Sequence, residues 1–299
     1  MEAPVLGFIG FGEAAFNISD GLSQTTKPKV FAFDVMANDK KLGPVIHERT
    51  GKTGVTLEDS LESLIEKSEF ILNATSAKYA LSIAKEAAQY TKDGKFYADL
   101  NSTSPMVKKE IAVIIDRSGG SFIDAAVMEV VPPHRHRVPI AVSGIGAKYF
   151  AEALNSIGMN VEYVNDSAGS SSSMKMFRSI FFKGFNALLM ETLIASYKAG
   201  VLPQIMDSIK GTLSNKTPDD LANMFMTRTA VAAARRVTEM EDVVATLNEM
   251  NLESFASQAT IKRLQWICDI GLKEYFDGKV PEHYSLVLEA ISIIGNKGE

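Results

Sequence analysis

The chain has 299 residues, 46% hydrophobic and 22% charged, an ordinary balance for a soluble globular protein and enough length for two domains with a sizeable core. Its formal net charge of −5 and pI near 5.6 exclude a general nucleic-acid binder or a protein held to anionic membranes, one basic cluster at His134-Arg135-His136-Arg137 aside. The single cysteine, Cys268, excludes an internal disulfide and fits a reducing compartment; with no leader-like N-terminus and no apolar run near about 18 residues, the expected location is the cytoplasm.

Val5-Leu6-Gly7-Phe8-Ile9-Gly10-Phe11-Gly12-Glu13-Ala14-Ala15 reads as a buried strand that breaks into a glycine turn and opens a helix with Ala15, Ile18 and Leu22 on one face. That is the pattern of a dinucleotide cradle. Gly10 permits the tight turn, Gly12 lets the backbone approach a pyrophosphate, and the N–H groups around Phe11, Glu13 and Ala14 offer donors at the positive end of the helix. Ala15 stands where a third glycine is usual, a position that needs only to be small. Lys27-Pro28-Lys29 then breaks the helix, and a second strand, Val30-Phe31-Ala32-Phe33, ends in Asp34, 24 positions after Gly10. An acid at that distance suits a ribose 2′-hydroxyl and repels a 2′-phosphate, which favours NAD over NADP, although Lys40, Lys41 and Arg49 carry the opposite charge downstream. A glycine turn in an α/β unit that binds no nucleotide is the alternative, set aside by the agreement of strand, turn, helix, strand and acid.

Residues 38–53 read as a polar loop with room for a short helix, and Leu57, Leu61, Leu64 and Ile65 as the face of an amphipathic helix. Strands follow at Phe70–Ala74, exiting at Thr75-Ser76, and at Phe96–Leu100, exiting at Asn101-Ser102, with a helix over Ala77–Tyr90 between them. Val107, Ile111, Ile114 and Ile115 mark the next helix; Phe122–Val127 and Val138–Val142 are strands, and a helix near Lys148–Ile157 and a strand near Val161–Val164 complete the pattern. Alternation of this kind predicts a doubly wound, mostly parallel sheet, with Gly10, Gly12, Asp34, Thr75, Ser76, Asn101 and Ser102 lining one crevice beyond the strand ends. After the serine run Ser170–Ser173 no further strand is expected. The predicted organisation is a Rossmann-type α/β domain over 1–168 and an all-helical domain over 169–299, with one long helix over Met174–Ala199 and a well-capped helix starting at Thr217-Pro218-Asp219-Asp220.

Lys175 lies near the start of that long helix and shares a face with Arg178, Ser179, Phe182 and Asn186. The helix dipole there disfavours its charge and, with partial burial, would bring its pKa into the range of a general acid or base. A solvated surface lysine is the plainer reading of the same residue. No His, Asp, Glu or Cys set has metal-ligand spacing, so no metal is expected.

Four ordered motifs add to this reading: Gly7-Phe-Ile-Gly10-Phe-Gly12, Asp99-Leu-Asn101-Ser102-Thr-Ser-Pro105, Asp124-Ala-Ala-Val127 and Gly169-Ser-Ser171-Ser-Ser-Met-Lys175. In order and rough spacing they resemble the β-hydroxyacid dehydrogenase family, which includes 3-hydroxyisobutyrate and 6-phosphogluconate dehydrogenases, over nearly the whole chain. The resemblance implies a nicotinamide cofactor, NAD or NADP, with Lys175 taking the hydroxyl proton as hydride leaves the same carbon, and with Asn101 and Ser102 touching the substrate. It also implies that the helical second domain dimerises, giving a homodimer.

Two departures stand out. Met128-Glu129-Val130 replaces the usual Ser-Gly-Gly, so the pocket at Met128 is unconventional, and Arg178 replaces an asparagine, which suggests a small anionic substrate. The Pro132–Pro139 loop and Arg235-Arg236 look similar to a less characterised 6-phosphogluconate dehydrogenase-like branch, in which Arg235 or Arg236 helps bind the acid group. The loop itself is expected to be solvent-exposed. Imine reduction on the same architecture, and a dinucleotide-sensing or scaffold protein without turnover, are the rival functions.

Overall fold

The computed structural model describes residues 4–295. By compactness the chain falls into two units, Met1–Arg178 and Ser179–Glu299, and the division lies inside a long helix rather than at the serine run.

In the first unit, β1 (Leu6–Ile9) is followed by α1 (Glu13–Ser23), β2 (Val30–Phe33), α2 (Gly43–Thr53), β3 (Thr56–Leu57), α3 (Leu61–Lys67), β4 (Phe70–Asn73), α4 (Ala80–Ala87), β5 (Phe96–Asp99) and α5 (Pro105–Arg117). Then come β6 (Ser121–Val127), the single turn α6 (Val131–His134), β7 (Pro139–Ser143), α7 (Ala147–Ser156) and β8 (Asn160–Asn165). The eight strands form one sheet in the order β3-β2-β1-β4-β5-β6-β7-β8. β1 to β6 are parallel, β7 runs antiparallel to β6, and β8 is parallel to β7. The central strands are continuous apolar runs because helices cover both faces; β1 and β4 are buried along their whole length. β1 sits between β2 and β4, so the strand order reverses there, and ligands of such sheets bind beyond the carboxyl ends of the strands at that reversal.

Several expectations are corrected. The polar stretch 38–53 holds an eleven-residue helix, α2, whose Ile46, Thr50 and Thr53 are buried and which ends in left-handed Gly54 at φ 70°. Leu57 belongs not to an amphipathic helix but to β3, which pairs with β2 at the sheet edge. The helix expected over Ala77–Tyr90 opens with a 3-10 turn, Ala77–Tyr79, and its α-helical part ends at Ala87.

The basic loop is exposed as expected at Pro132, Pro133, His134, Arg135 and Arg137, with one residue turned inward. His136 is buried against α1 at Gly21, where an added Cβ would lie 2.1 Å from the ring Nδ1, and Arg135 bonds to Gln24 at 2.8 Å and Asp20 at 3.3 Å. Ordinarily Gly→Ala within a helix stabilises by about 1 kcal/mol. Here Gly21→Ala is expected to destabilise by about 1–3 kcal/mol, because the methyl group overpacks the buried ring; urea unfolding measures it. Burial, and then the Arg137 and Arg135 charges, hold the His136 imidazole below its ordinary 6.5. Its contribution to stability is therefore full above that value and falls as the pH drops through the depressed folded one.

The second unit is helical throughout its described residues. It takes most of α8 (Ser170–Lys198), then α9 (Leu202–Leu213), α10 (Pro218–Glu249), α11 (Phe255–Asp269), α12 (Leu272–Tyr275) and α13 (Tyr284–Gly295). The start of α10 is as expected, with Thr217 and Asp220 forming a reciprocal capping box, and the helix kinks at Ala232 (φ −115°, ψ 15°). The N-terminus of α11 is capped from α8: the Glu191 carboxylate accepts the N–H groups of Ala256 at 2.7 Å and Ser257 at 2.9 Å. Ala230, Leu272, Val287 and Ala290 form the core of this unit.

Candidate active site

At the end of β1, Gly10 adopts φ +83° and donates its N–H to the Phe33 carbonyl at 2.8 Å; a Cβ here would meet Thr75 Cγ2 at 2.7 Å. Only glycine makes this turn without strain. Gly12 differs: its Cβ direction meets no atom within 4 Å, so the backbone is open to a ligand. No side chain caps α1, which leaves the N–H groups around Glu13 and Ala14 for an anion. Asp34 holds the turn itself, because its Oδ2 accepts the Phe11 N–H at 2.8 Å while Oδ1 accepts that of Met36 at 2.9 Å. Each carboxylate oxygen has a second lone pair, so acceptor capacity remains for a sugar hydroxyl. The Phe11 ring is in the core and only its backbone takes part.

A cavity of about 500 Å³ opens here, walled by Gly10, Gly12, Asp34, Thr75, Ser76 and Tyr79 among others. Open space above Gly12, an uncapped helix start and a carboxylate at the end of β2 are the features a dinucleotide requires, and these residues fit one. Arg49 stands at the side of the cradle, its guanidinium 5.5 Å from the centre of the Phe16 ring and Nη1 3.4 Å from the Phe11 carbonyl, while Lys40 and Lys41 are exposed.

Asn101 and Ser102 leave the neighbouring strand, β5, and are not among these walls. They form a second group with Lys175. Asn101 is buried, and its Nδ2 is pinned to Asp99 Oδ1 at 2.6 Å; the exposed hydroxyl of Ser102 accepts from Lys175 Nζ at 2.8 Å. Lys175 is half-buried. α8 begins at Ser170 and not at Met174, so the serine run is its first turn and Lys175 stands in the second, where the dipole effect invoked for it has largely faded. Its placement rests instead on the strand exit it touches.

Arg178, one turn further, is engaged: Nη2 lies 2.7 Å from Glu129 Oε1 and Nη1 donates to the Met128 carbonyl at 3.2 Å. The two departures from the family pattern thus meet as one ion pair, which the 49 positions between Glu129 and Arg178 hide in the sequence. Ser179 begins the second unit, which also holds Arg235 and Arg236. Arg235 pairs with Glu239 on its own helix, and Arg236 donates to Thr229.

Beneath the β5 and β6 exits lies a cluster that the sequence reading overlooked. Lys108, from α5, has its side chain fully buried between Asp99 Oδ2 at 2.9 Å and Asp124 Oδ1 at 3.3 Å, both carboxylates being equally buried. Among the described residues no group of three or more His, Cys, Asp or Glu could hold a metal ion, and no helix is long and apolar enough to cross a membrane.

A family model described as a domain of unknown function, DUF1932, matches residues 197–267. The crystal structure of a conserved hypothetical protein from Sinorhizobium meliloti 1021 is 35% identical, with 89% of this chain and 88% of that one covered and a TM-score of 0.66. The conserved protein MTH1747, described as structurally similar to 3-hydroxyacid dehydrogenases, is 28% identical over 89% of this chain and 97% of its own, with a TM-score of 0.63. The chain belongs to the β-hydroxyacid dehydrogenase family. An imine reductase from Myxococcus stipitatus in complex with NADP+ shares the fold at 16% identity and a TM-score of 0.68, covering 90% of this chain and 95% of its own. The expected fold class, a Rossmann-type α/β part followed by a helical part, holds for the whole family member.

Proposed function

We propose that this family member is an NAD(P)-dependent oxidoreductase that moves hydride between a nicotinamide nucleotide and a small β-hydroxyacid or its keto or semialdehyde form. The observation that carries this reading is the Lys175 Nζ–Ser102 Oγ contact of 2.8 Å beside pinned Asn101. An amine held by a hydroxyl at a strand exit suits proton exchange with an alcohol oxygen, and the amide and hydroxyl suit a polar substrate. Gly10, Gly12, the first turn of α1, Thr75 and Ser76 would hold the nucleotide, with Asp34 toward a ribose hydroxyl. The nicotinamide, when bound, supplies the hydride acceptor or donor. Lys175 takes the proton of the substrate hydroxyl during oxidation and returns it during reduction, while Ser102 holds the amine in place.

Asp34, with its charge at the end of β2, favours NAD; Arg49 beside the turn offers the opposing charge that a 2′-phosphate would need. A carboxylate can reach Arg178 by exchange with Glu129, so the substrate's acid group competes with a built-in one. Arg235 and Arg236 have partners of their own within the second unit, and a role in anion binding would require them to exchange these too. A homodimer is supported by the apolar face that α8 exposes, with Phe177 at 65%, Ile180 at 72% and Phe181 at 63%.

Titration with NAD and NADP, followed by hydroxyacids with the oxidised and cyclic imines with the reduced nucleotides at the nicotinamide absorbance band, tests the reading. The expected outcome is tighter binding of NAD and turnover of an acid that depends on Lys175. Imine reduction that survives Lys175→Ala would favour the imine rival, and nucleotide binding without turnover of either class would favour a sensing or scaffold protein.

A further inference from the structure

The cluster under the strand exits takes no part in the chemistry described so far, and ion pairing alone does not account for it. Burying two carboxylates and one ammonium away from water costs more than their attraction returns unless other hydrogen bonds complete the set, and apolar residues of similar volume commonly serve stability as well. Here the set is completed in a particular way. Lys108 Nζ also donates to the Asp99 carbonyl at 2.5 Å. Asp99 Oδ1 takes Asn101 Nδ2 at 2.6 Å and Asn73 Nδ2 at 3.2 Å. Asp124 takes the Ser172 hydroxyl at 2.6 Å on Oδ1 and the Ser172 N–H at 2.9 Å on Oδ2, and the neighbouring Ser171 N–H goes to Ser143 Oγ at 3.1 Å.

The two carboxylates therefore hold opposite sides of the same contact. Asp99 grips the β5 exit, where Asn101 is followed at once by Ser102. Asp124 grips the first turn of α8, one helical step of three residues before Lys175. Lys108 is the shared cation that fixes the carboxylates relative to each other. Strand exit and helix start are separated by 70 positions between Ser102 and Ser172, with no local chain geometry to set their spacing.

We propose that Lys108 is a positioning residue: through Asp99–Asn101 on one arm and Asp124–Ser172 on the other, it sets where Lys175 Nζ stands relative to Ser102. The functional consequence rests on the reading of Lys175 as the acid/base group. Lys175 reaches substrate only from this placement, and a displacement of about 1 Å costs roughly 100-fold in rate.

Because Lys108→Met is expected to bring the fold close to unfolding, Ser172→Ala is the principal variant; it removes one hydroxyl from an arm and leaves all three charges in place. Full-length parent and variant are reductively methylated with ¹³C, and the Lys175 resonance, assigned by its loss in Lys175→Arg, is followed by NMR. In Ser172→Ala this resonance is expected to move toward those of the exposed lysines, with the turnover number for a hydroxyacid accepted by the parent down roughly 100-fold, at unchanged KM for the nucleotide. An unmoved Lys175 resonance in the variant overturns the positioning role whatever the rate. Full turnover in Lys175→Ala would overturn the acid/base reading instead, and since the resonance reports position without turnover, the two failures are told apart.

Discussion

Lys175→Ala is expected to lower the turnover number for the hydroxyacid by about 10²–10⁴-fold, the usual worth of a positioned general acid or base. Nucleotide affinity should be unchanged, because the walls of the cradle come from Gly10, Gly12, Asp34, Thr75 and Ser76 and do not include Lys175. The sign of the pH effect follows from the role. Oxidation requires a free amine to take the hydroxyl proton, so kcat/KM for oxidation rises with pH in the parent, and that limb should be absent in the variant. Steady-state kinetics across pH, with nucleotide binding measured separately, distinguishes this from a loss of fold. Unchanged kcat with a raised KM would instead make Lys175 a simple anchor for the substrate.

The largest stability effect is expected at Lys108. Its ammonium and the two carboxylates it faces have fully buried side chains, so solvent screening does little to soften its removal. Lys108→Met leaves Asp99 and Asp124 as uncompensated neighbours in a dry interior, which should cost about 3–5 kcal/mol. Against a typical domain stability of about 5–15 kcal/mol, that brings the first unit close to unfolding. Adding Asp99→Asn and Asp124→Asn removes the uncompensated charges and should recover much of the loss, since the penalty lies in the unpaired carboxylates and not in the missing lysine. Urea unfolding of the single and triple variants measures both. A triple variant no more stable than the single one would mean that packing around the lysine stem, and not charge, dominates.

Much of the fold was legible because it is written in local patterns. The runs at Leu6–Ile9 and Phe70–Asn73 are buried throughout and apolar but for Asn73, since helices cover both faces of the sheet, and Gly10 and Asp34 stand where backbone geometry demands them. α2 was obscured by its polar surface and by Gly51, although Pro44 at its start and Gly54 at its end mark the boundaries. β3 has two residues and carries no periodicity at all. In the site, Lys175 stood out by its place on the long helix and Asn101 and Ser102 as a strand exit; the resemblance gave them roles, and the fold the contact between Lys175 and Ser102.

The buried cluster did leave a trace. On α5 the residues buried together are Lys108, Ile111, Ala112 and Ile115, so the lysine lies on the core face by helical spacing, while Asp99 closes the buried end of β5 and Asp124 interrupts the apolar run of β6. An acid inside a buried strand requires a partner, and a lysine in phase with an apolar stripe is the natural one. The apolar stripe Val107, Ile111, Ile114 and Ile115 is rotated slightly from the face that is buried, and Lys108 lies on the latter. The pairing of Arg178 with Glu129, and the seating of His136 on Gly21, had no such trace, since they depend on how distant segments pack.

The most direct test of hydride transfer to nicotinamide with Lys175 as base uses a β-hydroxyacid deuterated at its carbinol carbon, incubated with oxidised NAD and either the parent enzyme or Lys175→Ala. The expected result is deuterium in the reduced nucleotide at one face of the nicotinamide with the parent, and a rate lower by about 10²–10⁴-fold with the variant. Deuterium retained in the acid, while both proteins alike reduce a cyclic imine when reduced nucleotide is supplied instead, would contradict it.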